Sequence, residues 1–275
     1  MRKIVFFDID GTLVDDATQI LPDSAGRAVE ALRERGHLAV LNTGRPRSHI
    51  DPRLLTWTWD GCMTSHAAVV ARGMGTCCIS GCGMEVQAGG RTLHRVLPEA
   101  AVCRRMRDLI RACRLDVLFE VSGGLILDGT RPQGPQVRLE ADRMRAKGFS
   151  VTEDPDRPDF CFEKFVVFHP DGGDLARFQS EASRDFTLID RGGGMIEYVL
   201  KGYSKAAGLA AMLRDLGASR EEAYAIGDST NDLPMFEAAG HTAALGDGMA
   251  ELQAKAGYIT APVLENGLEQ ALKHW

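Results

Sequence analysis

The chain of 275 residues has no run of about 18 apolar residues, so nothing in it reads as a membrane-spanning helix and no membrane partner is expected. Positive charge is also in deficit. Its 32 Lys and Arg against 38 Asp and Glu give a formal net charge of −6, which repels a nucleic-acid backbone rather than attracting it. Cysteine is too sparse and uneven for a disulfide scaffold: seven residues, an odd number, in a chain long enough to build a core without staples. The opening Met1 to Phe7 imitates a signal peptide, but Asp8 and Asp10 interrupt an apolar stretch that would need about 7 to 15 residues. The expectation is a soluble, cytoplasmic protein.

Several chemistries are missing as well. No cysteine is followed by an arginine at the spacing of a cysteine phosphatase. Gly202-Tyr203-Ser204-Lys205-Ala206 fails as a serine elbow at its last position. There is no Walker loop, and Gly246-Asp247-Gly248 stops short of a dinucleotide fingerprint. Cys77, Cys78 and Cys82 lack a second pair at zinc spacing, so thiols are expected there rather than a metal site.

What is present alternates strand and helix. Ile4 to Phe7 is a continuous apolar run, as in a parallel strand buried on both faces. A helix opening at Pro22-Asp23 carries Ala25, Ala28, Val29 and Leu32 on one face, and Leu38 to Leu41 is a second buried strand. The C-terminal region repeats the pattern. A helix capped by Ser204 carries Leu209 and Leu213, and the strand Ala223 to Ile226 follows a capping-box pair, Ser219 and Glu222. Met235 to Ala239, Glu251 to Ala256 and Leu268 to Lys273 read as helices, with a strand at His241 to Leu245 between the first two. One parallel sheet shared by both ends follows. Residues 84–198 read as a separate inserted α/β module with its own core, starting with a hairpin around Gly89-Gly90. The expected division is therefore core 1–83, insertion 84–198 and core 199–275, with the insertion acting as a lid. Arg104, Arg105 and Arg107 are expected on a solvated helix face.

The chemistry-bearing residues fall where strands end. Asp8 and Asp10, two residues apart at the end of the first strand, point to one side, with Gly11 letting a ligand near the backbone. Such a carboxylate pair invites a cation, though a turn pair that caps its own loop is an equal alternative. Gly227-Asp228-Ser229-Thr230-Asn231-Asp232 ends another strand. Asp232 could merely cap the helix starting at Leu233-Pro234, whereas Asp228 is harder to explain that way. A hard divalent cation such as Mg²⁺ would relieve both clusters. Thr43-Gly44-Arg45 and Lys205 together offer a hydroxyl, backbone N–H groups and an ammonium at a helix start, an anion site.

Asp8-Ile9-Asp10-Gly11-Thr12, Thr43-Gly44-Arg45, Lys205 and Gly227 to Asp232, in that order, resemble the four motifs of the haloacid-dehalogenase-superfamily phosphatases. The inserted module resembles the type IIB cap of the Cof-like branch. The similarity spans nearly the whole chain and includes Ala256-Gly257-Tyr258-Ile259-Thr260 and Glu265-Asn266-Gly267 near its end. It implies a Rossmann-like parallel-sheet core with an inserted α/β cap domain, and an Mg²⁺-dependent phosphatase acting on small-molecule phosphate esters such as sugar phosphates. By position, Asp8 is then the nucleophile that forms an aspartyl-phosphate, and Asp10 the general acid and base. Asp8, the Asp10 main chain, Asp228 and Asp232 would serve the metal, and Gly11, Thr43, Gly44, Lys205 and Asn231 the phosphoryl oxygens. A sugar-phosphate mutase using the same aspartyl-phosphate and a non-catalytic metabolite-binding protein are the alternatives. One departure from the pattern is Gly81-Cys82-Gly83-Met84, where the family commonly has Ser-Asn-Gly-Ala; Thr64-Ser65-His66-Ala67 is a competing match.

Overall fold

The computed structural model describes residues 2–45, 54, 61–64, 67–70, 85–88, 91–121, 124–169 and 172–275, with the strands between 61 and 95 described in backbone only. In chain order, the first elements are β1 (Ile4–Phe7), α1 (Asp23–Glu34), β2 (Leu38–Thr43), β3 (Gly61–Thr64), β4 (Ala67–Val70), β5 (Glu85–Ala88) and β6 (Arg91–Arg95). There follow α2 (Ala100–Ala112), β7 (Asp116–Val121), β8 (Gly124–Leu127), α3 (Pro135–Ala146) and β9 (Val151–Thr152). Next come β10 (Lys164–Phe168), α4 (Leu175–Ala182), β11 (Phe186–Asp190) and β12 (Met195–Leu200). The last are α5 (Lys205–Leu216), β13 (Ala223–Gly227), α6 (Leu233–Ala238), β14 (His241–Ala244), α7 (Ala250–Gln253), β15 (Tyr258–Ile259) and α8 (Gly267–His274). The chain divides into two units, Met1–Arg95 with Tyr203–Trp275, and Val96–Gly202.

The first unit is built on a nine-stranded sheet in the order β15-β14-β13-β1-β2-β3-β4-β5-β6. β1 lies in its interior, between β13 and β2, and every one of its side chains is apolar and fully buried. Alternation along the strand then feeds two cores. Val5 and Phe7 pack with Val29 and Leu32 of α1 and Leu268 of α8. Ile4 and Phe6 pack on the opposite face with Leu209 and Met212 of α5 and Phe236 of α6. Parallel pairing of Phe7 with Leu41 on one side and with Ile226 on the other brings the C-terminal ends of β1, β2 and β13 to one edge. Open α/β sheets bind ligands at such an edge.

The hairpin expected at the start of the insertion belongs to this sheet instead. β5 pairs with β4, and β6 pairs with β5 as the edge strand, so the chain passes into the second unit after Arg95 and returns at Tyr203. The backbone of β5 finds its hydrogen-bonding partner in β4, and that pairing fixes where the unit ends. Gly89 and Gly90 themselves lie outside the described residues.

The second unit has a six-stranded sheet in the order β11-β12-β10-β7-β8-β9. One face carries Phe119, Phe165 and Tyr198 against Met106 and Ile110 of α2 and Phe178 of α4. Phe165 and Tyr198 stack with ring centroids 5.0 Å apart. The other face sets Leu118, Leu125 and Phe168 against Val137 and Ala141 of α3. Helix α4 has no counterpart in the sequence reading; it is short, and its start is fixed by the Asp174 side chain accepting from the Arg177 N–H. Arg107 is not solvated as expected. Its Nη1 donates to the Pro155 carbonyl at 3.0 Å, and its guanidinium lies over the Phe160 ring, while Arg104 stays exposed and Arg105 pairs with Asp185. Among the described residues, no helix is long and apolar enough to cross a membrane.

Candidate active site

Asp8 is the first residue beyond β1, buried, with its N–H donated to the Ile226 carbonyl of β13 at 3.1 Å. Beyond it the chain turns back at once: the Leu13 and Val14 N–H groups both donate to the Ile9 carbonyl at 2.9 Å, and Leu13 and Val14 are buried beneath the turn. Gly11 makes this possible. Its φ of +71° lies in the left-handed region, and a Cβ there would collide with the Asp228 carboxylate. Thr12, fully buried, donates its hydroxyl to Asp228 Oδ1 at 3.1 Å and so ties the first acidic loop to the second.

The second loop is folded around Asp232. Its Oδ2 accepts from the Asp228 N–H at 3.1 Å and the Ser229 N–H at 3.2 Å, in a reciprocal capping box with Ser229. A side chain at Gly227 would occupy the space of this carboxylate. Asp232 makes no side-chain cap to α6, so the bland alternative weighed for it does not hold.

Lys205 opens α5 and is buried in the same place. Its Nζ lies 2.5 Å from Asp232 Oδ1 and 2.8 Å from Asp8 Oδ1, and it donates to Asn231 Oδ1 at 3.3 Å. Carboxylate oxygens of Asp8, Asp228 and Asp232 lie within 4.8 Å of one another. Three carboxylates against one ammonium leave a surplus of two negative charges in a buried place. The titration behaviour follows from this. Burial, outweighing the attraction of Lys205 and helped by Asp232 and Asp10, pushes the Asp8 carboxyl up to about 7. Burial and then the charges of Asp8 and Asp232 push Asp228 up to about 9. Burial pulls the Lys205 ammonium down, but Asp232 and Asp8 outweigh it and hold it above its ordinary value. Lys205 thus remains charged, and Asp8 and Asp228 relieve the surplus by holding protons. A divalent cation bound by oxygen ligands fits this donor set in both charge and chemistry.

Asp10 faces a different partner. Arg45 grips its carboxylate from two sides, with Nε 2.7 Å from Oδ2 and Nη2 on Oδ1. Thr43, fully buried at the end of β2, accepts the Arg45 N–H at 3.2 Å, and Gly44 follows it in the same strand-end loop. The structure therefore gathers Asp8, Lys205, Asp228, Asn231 and Asp232 directly, with Asp10 joined to Arg45 and Thr43 beside it. Two contributors were missed. Thr12 lies inside the first motif with no role of its own legible there, and Asn42, fully buried, donates from Nδ2 to the Lys205 carbonyl at 3.1 Å. The signal for Asn42 was a polar residue inside an otherwise apolar strand. Gly81 to Met84 lies outside the described residues; of the competing match, Thr64 and Ala67 are opposite each other in the antiparallel pair β3–β4.

A sheet that is parallel from β15 to β3, with buried acidic loops and a lysine gathered at its strand ends, defines an α/β protein with a ligand site at that edge. The profile of the haloacid dehalogenase-like hydrolase family matches residues 5–272. The chain belongs to that family and is an enzyme of the phosphatase class. A Streptococcus pyogenes protein named a bifunctional phosphatase/peptidyl-prolyl cis-trans isomerase is 26% identical over 278 residues; the match covers 98% of this chain, which spans only 53% of that protein. The Bacillus subtilis protein YcsE, named 5-amino-6-(5-phospho-D-ribitylamino)uracil phosphatase, is 23% identical over 274 residues, covering 99% of this chain and 95% of that one. The crystal structure of the HAD subclass IIB sugar phosphatase BT4131 superposes with a TM-score of 0.76 at 22% identity, over 99% of this chain and 98% of the other.

Proposed function

We propose that the protein is a cytoplasmic, Mg²⁺-dependent phosphatase that hydrolyses small-molecule phosphate monoesters, of the sugar-phosphate kind, through an aspartyl-phosphate on Asp8. The observation that carries this reading is the placement of Asp8. It is a buried carboxylate 2.8 Å from the Lys205 ammonium and within the acidic group that calls for a cation. An anionic nucleophile approaching an anionic ester needs that positive charge around it.

In the proposed reaction Asp8 Oδ attacks phosphorus and the bond to the ester oxygen breaks. Asp10, protonated once it leaves the Arg45 fork that holds it as a carboxylate, gives a proton to the departing alcohol. It then takes a proton from the water that attacks the aspartyl-phosphate, releasing phosphate and restoring Asp8. Lys205 and Asn231, with Thr43 and the backbone at Gly11 and Gly44, hold the phosphoryl oxygens. Asp8, the Asp10 main-chain carbonyl and Asp228 would hold Mg²⁺, supported by Asp232; when bound it supplies charge that stabilises the phosphoryl oxygens.

Phosphate release from a panel of phosphate monoesters, measured with Mg²⁺ and with chelator, tests the proposal. Turnover should require the cation and drop to background in Asp8→Asn. Undiminished turnover in that variant, or isomerised sugar phosphate without net release of phosphate, would overturn it.

A further inference from the structure

We propose that Cys103 and Cys161, in the second unit, form an oxidisable thiol pair: a modification site that takes an oxidant of the hydroperoxide class and closes to a disulfide. The inference is independent of the phosphatase reading.

Cys103 lies in the first turns of α2 and is fully buried; Cys161 lies in the connection just before β10 and is partly exposed. Their sulfurs are 3.5 Å apart although 58 positions separate them in the chain. Both sulfurs also approach one acceptor, the Pro98 carbonyl, at 3.7 Å from Cys103 and 3.6 Å from Cys161. A disulfide needs the sulfurs at about 2.05 Å, an approach of roughly 1.5 Å. Rotation of the two side chains has to supply that movement, since Cys161 lies between the buried Phe160 and Phe162. Of the two thiols, Cys161 can meet a small oxidant and Cys103 cannot.

The asymmetry assigns the roles. The hydrogen bond to Cys161, and then burial, push the Cys103 thiol up, so Cys103 is inert towards reagents in solution. Cys161 reacts first: its sulfur takes the terminal oxygen of the hydroperoxide to give a sulfenic acid, and the hydroperoxide leaves as an alcohol, or as water for hydrogen peroxide. The Cys103 sulfur then attacks the Cys161 sulfur. The sulfur–sulfur bond forms, the S–OH bond breaks, and the hydroxyl leaves as water with the Cys103 proton. Two thiols are oxidised and one peroxide is reduced, with no other reactant. Proximity favours this resolution, since the second thiol is already in contact. The resulting bond staples the start of α2 to the lead-in of β10, close to Pro98, where the chain has just passed into the unit that begins at Val96.

The test is peptide mapping of the full-length protein under non-reducing conditions, after stoichiometric hydrogen peroxide and alkylation of residual thiols during unfolding. The expected product is a crosslink between the peptides that hold Cys103 and Cys161, reversed by dithiothreitol. It should persist in Cys113→Ser and vanish in Cys161→Ser. Cys113 is the control because it caps the C-terminal end of the same helix, about 15 Å further along. The oxidised wild type should also unfold at a higher temperature than the reduced form, and this difference should be lost in Cys161→Ser. Recovery of both cysteines alkylated after peroxide, or of Cys161 as sulfinic acid without a crosslink, overturns the proposal. Because mapping of the wild type decides the point, a poorly folding variant does not blur the outcome.

Discussion

Lys205 is a buried ammonium whose two nearest carboxylates, Asp232 and Asp8, belong to loops that meet only at the sheet edge. Asp232 already accepts from two backbone N–H groups, so its part is to hold Lys205 and the loop in place, and in the proposed reaction the attack falls to Asp8. Removing the ammonium leaves buried negative charge without compensation. Lys205→Met should lower kcat/KM by at least about 100-fold, the scale for losing one charged stabilising group. It should also cost about 3–5 kcal/mol of stability, as expected when one partner of a buried ion pair is deleted. Steady-state kinetics and urea denaturation check the two effects separately. Asn42, which bonds the Lys205 carbonyl, reinforces the same placement from the end of β2.

Among the elements, the turn after β1 sets how close the two acidic loops can come. Gly11 holds a positive φ and faces the Asp228 carboxylate where no side chain fits. Gly11→Ala should cost about 1–2 kcal/mol from the left-handed backbone alone. It should also displace Asp228, so the larger effect falls on cation affinity. Calorimetric titration with Mg²⁺ should show weaker binding by tenfold or more, while the fold, followed by circular dichroism, is retained. An unchanged affinity would show that Asp228 can move aside without consequence. This element also illustrates what the sequence makes plain. β1 and β2 are apolar on both faces, and a strand of that kind has one stable place, the middle of a covered parallel sheet. The hairpin β5–β6 is different. Its pattern specifies two strands and a turn but not which sheet they join, because that depends on the pairing of β5 with β4, which the pattern of the hairpin does not contain.

At the scale of the whole molecule, folding gathers charge that an unfolded chain would disperse. In the folded state Asp8 titrates at about 7 and Asp228 at about 9, against an ordinary value of 3.8. Between these limits the folded protein holds protons that the unfolded chain has lost. Proton linkage then makes the cation-free protein less stable as pH rises from about 4 towards 9. A bound cation displaces those protons and removes the penalty. Thermal unfolding in chelator should therefore show a falling midpoint between about pH 6 and pH 9, and Mg²⁺ should raise the midpoint more at the upper pH than at the lower. Equal stabilisation at both would argue against cation binding at this pair.

The sequence by itself determined the residue types at the strand ends and their order. Each of these is local: a buried strand, a glycine turn and an acidic loop are written within a few consecutive residues. Only the tertiary structure decided that Lys205 meets Asp8 and Asp232, that Arg45 grips Asp10, that Thr12 reaches Asp228, and that Cys103 lies against Cys161. It also decided that Asp232 closes its own loop instead of capping α6. These are contacts between segments that are distant in the chain, set by which strands share backbone hydrogen bonds and which faces are buried together. A one-dimensional pattern carries no term for either.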